Sequence, residues 1–473
     1  MHDLLRRYAR DHAARSAADS QRALNQLLDY YQHTAALAEA RLARQTRPGP
    51  PPAAPAGLPA VPGLDDTGQA LAWARADRAS LLACLDHATR IGEHARVIAL
   101  TAALAGLLRH DGPWADAVTR HTTAIQAARD LGDRLGQANA LTDLGDILRL
   151  NGDYSGAAQA QEQALSIYRH LGDRLGQANA LNGLGNTRRL TGDWRGAAQA
   201  LEQALSTYRD LGDRLGQAHA LRQFGVMRRL TGDFPAAAQS LEQALSIYRD
   251  LGDRLGQAHA LNGLGILRRL TSDFPGAAQV QEQALRICLD LGDRLGQANA
   301  LRELGVVRRL TGDYPGAAQA LEQALSIYRD LGNRRGQAHA LNGLGNTRRL
   351  TGDLPGAAQA LEQALSICRD IGDRGGEAEA LNERGTLHQV SGELARAAEY
   401  HQQARELARA IASPWDEACA VVGLGRCATA AGHTAQAEIL LRQALEKFRQ
   451  IGAADAPAVL AELNALTGPR PAG

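Results

Sequence analysis

Lysine is almost missing from this chain of 473 residues: Lys447 is the only one, and every other basic residue is arginine. A phosphate-binding loop of the GxxxxGK[ST] type needs a lysine on the phosphates, and Lys447 stands in a helical stretch near the end, so that loop is excluded. Most Schiff-base chemistry goes with it. Aromatic residues are scarce at 4%, against 45% apolar. A core can form, but from alanine and leucine rather than large rings. The five cysteines, Cys84, Cys288, Cys368, Cys419 and Cys427, form no Cys-x-x-Cys pair. An odd number of scattered thiols fits a reduced, cytoplasmic protein. No apolar run reaches the ~18 residues of a membrane span, and the charged N-terminus has no signal-peptide core. Neither charge is in excess: 52 Lys+Arg against 51 Asp+Glu leaves +1, which excludes polyanion binding driven by bulk charge. His-Glu-x-x-His, zinc-ligand spacing and Gly-x-Ser-x-Gly are absent. No enzymatic activity, metal or cofactor is therefore expected. The Ala/Arg/Gly bias is that of a GC-rich bacterial gene.

What the chain has is a repeat. Asp-Arg-Leu-Gly-Gln-Ala recurs from Asp133, Asp173, Asp213, Asp253 and Asp293, always 40 residues apart. Drifted copies begin at Asn333 and Asp373, a weaker unit starts at Glu93, and another runs to Gln450, so nine windows cover 93–452. In one unit, Leu215, Ala218, Leu221, Phe224, Met227 and Leu230 form a helical stripe. Thr231-Gly232-Asp233 stops that helix, with Gly232 suited to the left-handed position after it. Pro235 fits the first turn of a second helix, which carries Ala237, Ala238, Leu241, Ala244, Leu245 and Tyr248. Leu251-Gly252-Asp253 ends it, with Asp253 as the next N-cap. Such a helix–turn–helix buries its apolar faces only by stacking on its neighbours. Gly225 and its equivalents stand mid-helix, which costs ~1 kcal/mol relative to alanine and implies close approach of the partner helix. Gln161 and Gln281, where other units have leucine, read as partly buried amides.

Outside the repeats, residues 1–45 and 64–92 read as helical, the Pro-rich stretch 46–63 as an extended linker outside any packed core, and 453–473 as a cap helix and tail.

The pattern Leu-Gly-x6-Gly-[Asp/Asn]-x3-Ala-x6-Ala, at Leu184, Gly185, Gly192, Asp193, Ala197 and Ala204, resembles the tetratricopeptide-repeat signature. Two departures are a longer unit and the extension Tyr208–Asp213 in place of the terminal proline. The resemblance implies an all-α solenoid of about nine helix–turn–helix repeats in a right-handed superhelix. It also implies protein or peptide binding in a concave groove lined by the first helix of each unit. A second resemblance lies at the N-terminus. His2–Arg10 and Leu27–Ala35 are similar to the end of the winged-helix region in NB-ARC-type signalling ATPases, and Ala72–Leu82 to the helix after their linker, with Asp77 and Ser80 departing from the pattern. It implies the sensor arm of a regulator whose ATPase module, absent from this sequence, is a partner.

With Leu184 as seventh position, the groove-facing positions are the second, fifth, ninth and twelfth, which share one helical face. The second gives Asn139, Asn179, His219, His259, Asn299 and His339. The fifth gives Thr142, Asn182, Arg222, Asn262, Arg302 and Asn342. The ninth gives Asp146, Asn186, Val226, Ile266, Val306 and Asn346. The twelfth gives Arg149, Arg189, Arg229, Arg269, Arg309 and Arg349. Asparagine amides pair with the N–H and C=O of an extended peptide, and guanidinium forks suit carboxylate or phosphate. The expected ligand is thus an extended, acidic peptide or protein segment, with the acids of the chain itself lying in turns and second helices. Against this stands a structural reading in which the arginines pair with neighbouring carboxylates, the one favoured for the eleventh-position series such as Arg188 and Arg228. A stand-alone peptide receptor or scaffold without an ATPase partner is the alternative. Nucleic-acid binding through the arginine ladder is disfavoured, because the groove has no aromatics for stacking bases. His219, His259 and His339, on one face, form a candidate pH-responsive strip.

Overall fold

The computed structural model describes residues 17–43, 45–49 and 60–467. Within them are 23 helices and no strand. His2–Arg10 and the tail beyond Thr467 lie outside the described residues.

The repeat alternates the helices as its periodicity demands. Arg214–Leu230 is followed by Phe234–Asp250, and the same pair recurs along the chain. Aspartate starts both helices of this pair: Asp213 Oδ1 accepts from the Gly216 N–H at 3.1 Å, and Asp233 Oδ1 from Ala236 N–H at 3.2 Å. A cap of this kind contributes about 1 kcal/mol. The stop is set by Gly232 at φ 86°, which lets Asp233 N–H reach back to the Arg228 carbonyl at 2.8 Å. Pro235 sits in the first turn of its helix.

Leu221, Phe224 and Met227 of the first helix and Ala237, Leu241, Ala244 and Tyr248 of the second are buried together. A Cβ on Gly225 would press on Leu241 and lie 3.2 Å from the Ala237 carbonyl oxygen, which accounts for the repeated mid-helix glycine. Cys288 and Cys368, at the position of Tyr248, are buried as small core residues. The first unit departs from the pattern: its leading helix breaks at Leu104 into His94–Ala103 and Ala105–Asp111. Helix Ala17–Leu42 packs on Thr67–Ala76 and His94–Ala103, and Ala456–Thr467 closes the last unit.

The solenoid winds back onto itself. The Trp194 indole N–H donates to the Ile411 carbonyl, 217 residues away in sequence. Arg75 Nη2 donates to the Gly292 carbonyl at 2.8 Å, also across 217 residues. A Cβ on Gly152 would lie 3.2 Å from Ile371 Cγ2, and Gly192 and Gly232 abut Ile411 and Ile451 in the same way. Successive turns of the superhelix therefore rest on one another, and the inner faces of the first helices enclose a channel.

Candidate ligand channel

The channel contains a chamber of about 310 Å³. Of the groove-facing residues singled out by position, it is lined by Asp146, Arg149, Asn179, Asn182, Asn186, Arg189, His219, Arg222, Val226, His259, Asn299, Arg302 and His339. Arg229, Asn262, Arg269, Arg309, Asn342, Asn346 and Arg349 do not line it. The chamber is also walled by Arg109 and His110 from the first unit and by Arg335 from the far side of the superhelix. Arg335 stands where other units have leucine, as at Leu215 and Leu255. That departure was visible in the sequence, but its cross-turn position was not.

Charge in the chamber is one-sided. Its lining holds Arg109, Arg149, Arg189, Arg222, Arg302 and Arg335 against the carboxylates of Asp146 and Asp293. Some of these guanidiniums are neutralised from within. Arg335 Nε meets Asp373 Oδ2 at 2.8 Å, Arg149 faces Asp146 at 3.5 Å, and Arg302 meets Glu303 at 2.6 Å. Arg269 also pairs with Glu303, at 3.3 Å. Arg189 donates to Asn186 Oδ1 at 2.8 Å and makes no ion pair with any described carboxylate. Burial, and then the guanidiniums of Arg335, Arg229, Arg149 and Arg222, hold its pKa well below the usual arginine value. Burial, further arginines and only partial relief from Glu303 bring Arg229 down to about 10.

Two expectations need correction. The acids are not confined to turns and second helices, because Asp143, Glu303, Glu379 and Glu383 lie on first helices among the arginines. Asp293 and Asp373 turn inward and are buried. The physical reason for the last two is the loss of a tyrosine. Where tyrosine is present, its hydroxyl takes the second-position side chain: Tyr168 to Asn139 at 2.7 Å, Tyr208 to Asn179 at 2.8 Å, Tyr328 to Asn299 at 2.7 Å, and Tyr248 against His219 Nδ1 at 2.9 Å. Where Cys288 and Cys368 replace it, His259 and His339 face Asp293 and Asp373 instead, at 3.9 and 3.6 Å. The three histidines thus have different partners and form no uniform strip. In addition, Arg269 and Arg302 share Glu303, so the twelfth-position ladder is not uniformly open.

Farther along the ladder the pairing is equally sparse. Arg349 Nη2 donates to Asn346 Oδ1 at 2.6 Å. Arg309, held below its usual pKa chiefly by burial, makes no ion pair with a described carboxylate. The fifth-position asparagines share one property: Asn182, Asn262 and Asn342 each bury an amide oxygen that has no hydrogen-bond partner. Asn342 buries its amide nitrogen unpaired as well. The eleventh-position arginines are structural, with Arg188 on Glu162 at 3.2 Å and Arg228 on Ser240 Oγ at 2.9 Å. Gln161 and Gln281 are fully rather than partly buried, and each donates to the carbonyl of the preceding helix, Thr142 at 3.1 Å and Asn262 at 3.0 Å.

One end of the channel is occupied by the chain itself. Residues 45–49, of which 46–49 belong to the stretch expected to lie outside any packed core, cross the first units as an extended strap. Asn179 Nδ2 donates to the Thr46 carbonyl at 2.9 Å, and Asn139 Nδ2 reaches the Pro48 carbonyl at 3.4 Å. Arg47 Nη2 pairs with Asp143 at 2.8 Å, Thr46 Oγ1 reaches Asp213 at 3.3 Å, and Pro48 is buried. Because Tyr168 and Tyr208 donate to the amide oxygens, the NH2 groups of Asn139 and Asn179 are left facing the channel as donors.

The tetratricopeptide repeat model matches residues 96–170, 162–210, 176–250, 216–290, 256–330 and 296–370, more than half of the chain. The chain belongs to the tetratricopeptide-repeat family. No curated protein matches its sequence. Among solved structures, it is similar to a Rap protein complexed with competence and sporulation factor, at 15% identity and a TM-score of 0.50, over 70% of this chain and 97% of that one. It is also similar to aspartyl phosphate phosphatase F from Bacillus subtilis, at 12% identity and a TM-score of 0.46, over 76% and 94%. A third is a signal-transduction ATPase with numerous domains, bearing a tetratricopeptide-repeat sensor, from Pyrococcus horikoshii. There the identity is 13% and the TM-score 0.42, over 74% of this chain and 54% of that protein. At these identities the likeness is one of fold. As a tetratricopeptide solenoid the chain is of the protein-interaction type. Among the described residues no helix is long and apolar enough to cross a membrane, and no group of histidine, cysteine and carboxylate side chains is arranged to hold a metal.

Proposed function

We propose that this tetratricopeptide solenoid binds an extended peptide or protein segment inside its superhelical channel, and that the segment carries an acidic group to the arginines around Arg189. The observation that carries this reading is the strap. Asn139 and Asn179 hold two main-chain carbonyls of an extended segment, so the second-position amides are already set for backbone recognition. Asn182, which lines the chamber, also holds an amide oxygen without a donor, and a buried acceptor of this kind costs about 1–3 kcal/mol until something fills it. The excess of guanidinium over carboxylate sets the sign of the ligand. A regulatory setting, with an ATPase module as partner, is supported by the N-terminal resemblance alone.

The test is a titration of the full chain with labelled ten-residue extended peptides that differ only in carrying Glu, Gln or Lys. Glu peptides should bind at least tenfold tighter than Lys peptides, and Arg189→Ala with Arg222→Ala should erase the preference. Equal affinity for all three series, or a preference that survives the double variant, would remove the proposal.

A further inference from the structure

The contact that seats one superhelical turn on the next is left unmade at both rims of the molecule. Inside the chain it recurs at four places. The residue that ends a second helix rests on the glycine turn within an earlier unit, by its side chain where Ile371, Ile411 and Ile451 meet Gly152, Gly192 and Gly232, and by its carbonyl where Leu331 meets Gly112. Leu331, Ile411 and Ile451 are buried in this way. The same residue occurs in the first four repeat units as Leu131, Leu171, Leu211 and Leu251, and there it is 43–52% exposed.

The receiving side shows the mirror image. At the glycine turns of the last four units, Gly312, Gly352, Gly392 and Gly432, an added Cβ would meet nothing within 4 Å. The apolar residue before three of those turns, at Leu310, Leu350 and Val390, is 39–56% exposed. Its equivalent at a filled turn, Leu190, is 8% exposed. One rim thus presents four unseated leucines and the opposite rim four unoccupied seats. The repeat makes them the same chemistry as the four pairs already joined within the molecule.

We propose that these two rims are complementary and that a second copy of this chain docks head to tail, continuing the superhelix along its axis. The occupant is a further copy because the docking residues and the seats recur in the same sequence pattern and the same interface is already built between turns. The flanking charges do not oppose it. The pairs Arg174–Asp210, Arg214–Asp250 and Arg254–Asp290, at 2.7 Å, neutralise one another beside the exposed leucines. The cap helix Ala456–Thr467 covers the end of helix stacking, not the rim of open turns. Such a contact is heterologous, joining different patches on each copy, so it does not close a pair and leads to open chains.

The experiment is analytical ultracentrifugation of the full chain over a concentration series up to tens of micromolar, with two rim variants. One carries Leu131→Glu, Leu171→Glu and Leu211→Glu. The other carries Leu310→Glu, Leu350→Glu and Val390→Glu. The unaltered chain should grow in mass with concentration beyond twice that of one chain, and each variant alone should stay at the mass of one chain. Their equimolar mixture should give a 1:1 dimer and nothing larger, because each variant keeps one intact rim; recovery of that dimer also shows that both variants fold. A chain that remains monomeric throughout, a single variant that assembles as the unaltered chain does, or a mixture that stays monomeric would each overturn the proposal.

Discussion

His401 occupies the seat that leucine fills in most units, as at Leu201 and Leu241, and it packs between Gly385 and Gly423. Its Nδ1 faces Asn382 Oδ1 at 3.2 Å, and its Nε2 is buried without a partner. Burial, with Arg426 adding to it, lowers its pKa to about 4. In the unfolded chain histidine titrates near 6.5, so the unfolded state binds the extra proton first. Stability is then full above pH ~6.5 and falls between there and pH 4, by up to about 3 kcal/mol from this residue. The variant His401→Leu should leave the melting temperature at pH 7.5 within a few degrees and flatten its decline over that acid window. An unchanged acid profile would show that the ring is not what titrates. A second prediction concerns Gly225. Alanine is the better helix former by about 1 kcal/mol, but its Cβ would push on Leu241 and on the Ala237 carbonyl. Overpacking of this kind costs about 1–3 kcal/mol, so Gly225→Ala should lower stability or leave it unimproved. Hydrogen exchange of helices Arg214–Leu230 and Phe234–Asp250 is the local measurement.

At the scale of the helix pair, most of the architecture was legible. A stripe of Leu215, Leu221 and Phe224, a Gly232 stop, an Asp233 cap and Pro235 in the first turn are local signals, and each acts within a few residues of itself. What could not be read was the pairing of Tyr208 with Asn179, which spans two helices and orients an amide. That bond has a consequence for the strap. Tyr208→Phe removes the donor that fixes the Asn179 amide, and a lost hydrogen bond of this kind is worth about 1 kcal/mol. Hydrogen exchange in the peptide holding residues 45–49 should then accelerate roughly fivefold, and more in Asn179→Ala, with helix Arg174–Leu190 still protected. If the strap competes with an external segment, Asn179→Ala will also separate two effects. It frees the first stretch of the channel and removes one of the donors that reads the ligand, whereas Arg47→Ala, which loses the pair with Asp143 and a bond to the Ala102 carbonyl but no channel asparagine, should raise the affinity for acidic peptides.

For the whole molecule, the return of the chain onto itself decides which side chains matter, and nothing in one unit announces it. Each repeat contributes a small rotation, and only the accumulated sum brings Arg335 across from Arg189 or seats Ile411 beside Trp194. For the same reason Leu131 and Leu331, alike in sequence, differ completely in exposure. Confining like charges inside this closed form destabilises it. Arg189→Met should therefore raise the melting temperature at low ionic strength, by the equivalent of about 1 kcal/mol, since apolar replacements of buried charges are often stabilising. Sulfate at millimolar concentration should raise the unaltered chain's melting temperature and leave that of the variant nearly unmoved. An Arg189→Met chain that melts lower than its parent would mean that the guanidinium is satisfied in a way the chamber's charge balance does not convey.

Turns that touch also make the coil behave as a spring. A strand that enters sideways has to part Trp194 from the Ile411 carbonyl and so lengthens the pitch, whereas one that threads in from an end leaves the turns in contact. Dyes placed near Leu131 and Leu350 would tell the two routes apart, by a fall in energy transfer upon loading for the first and none for the second.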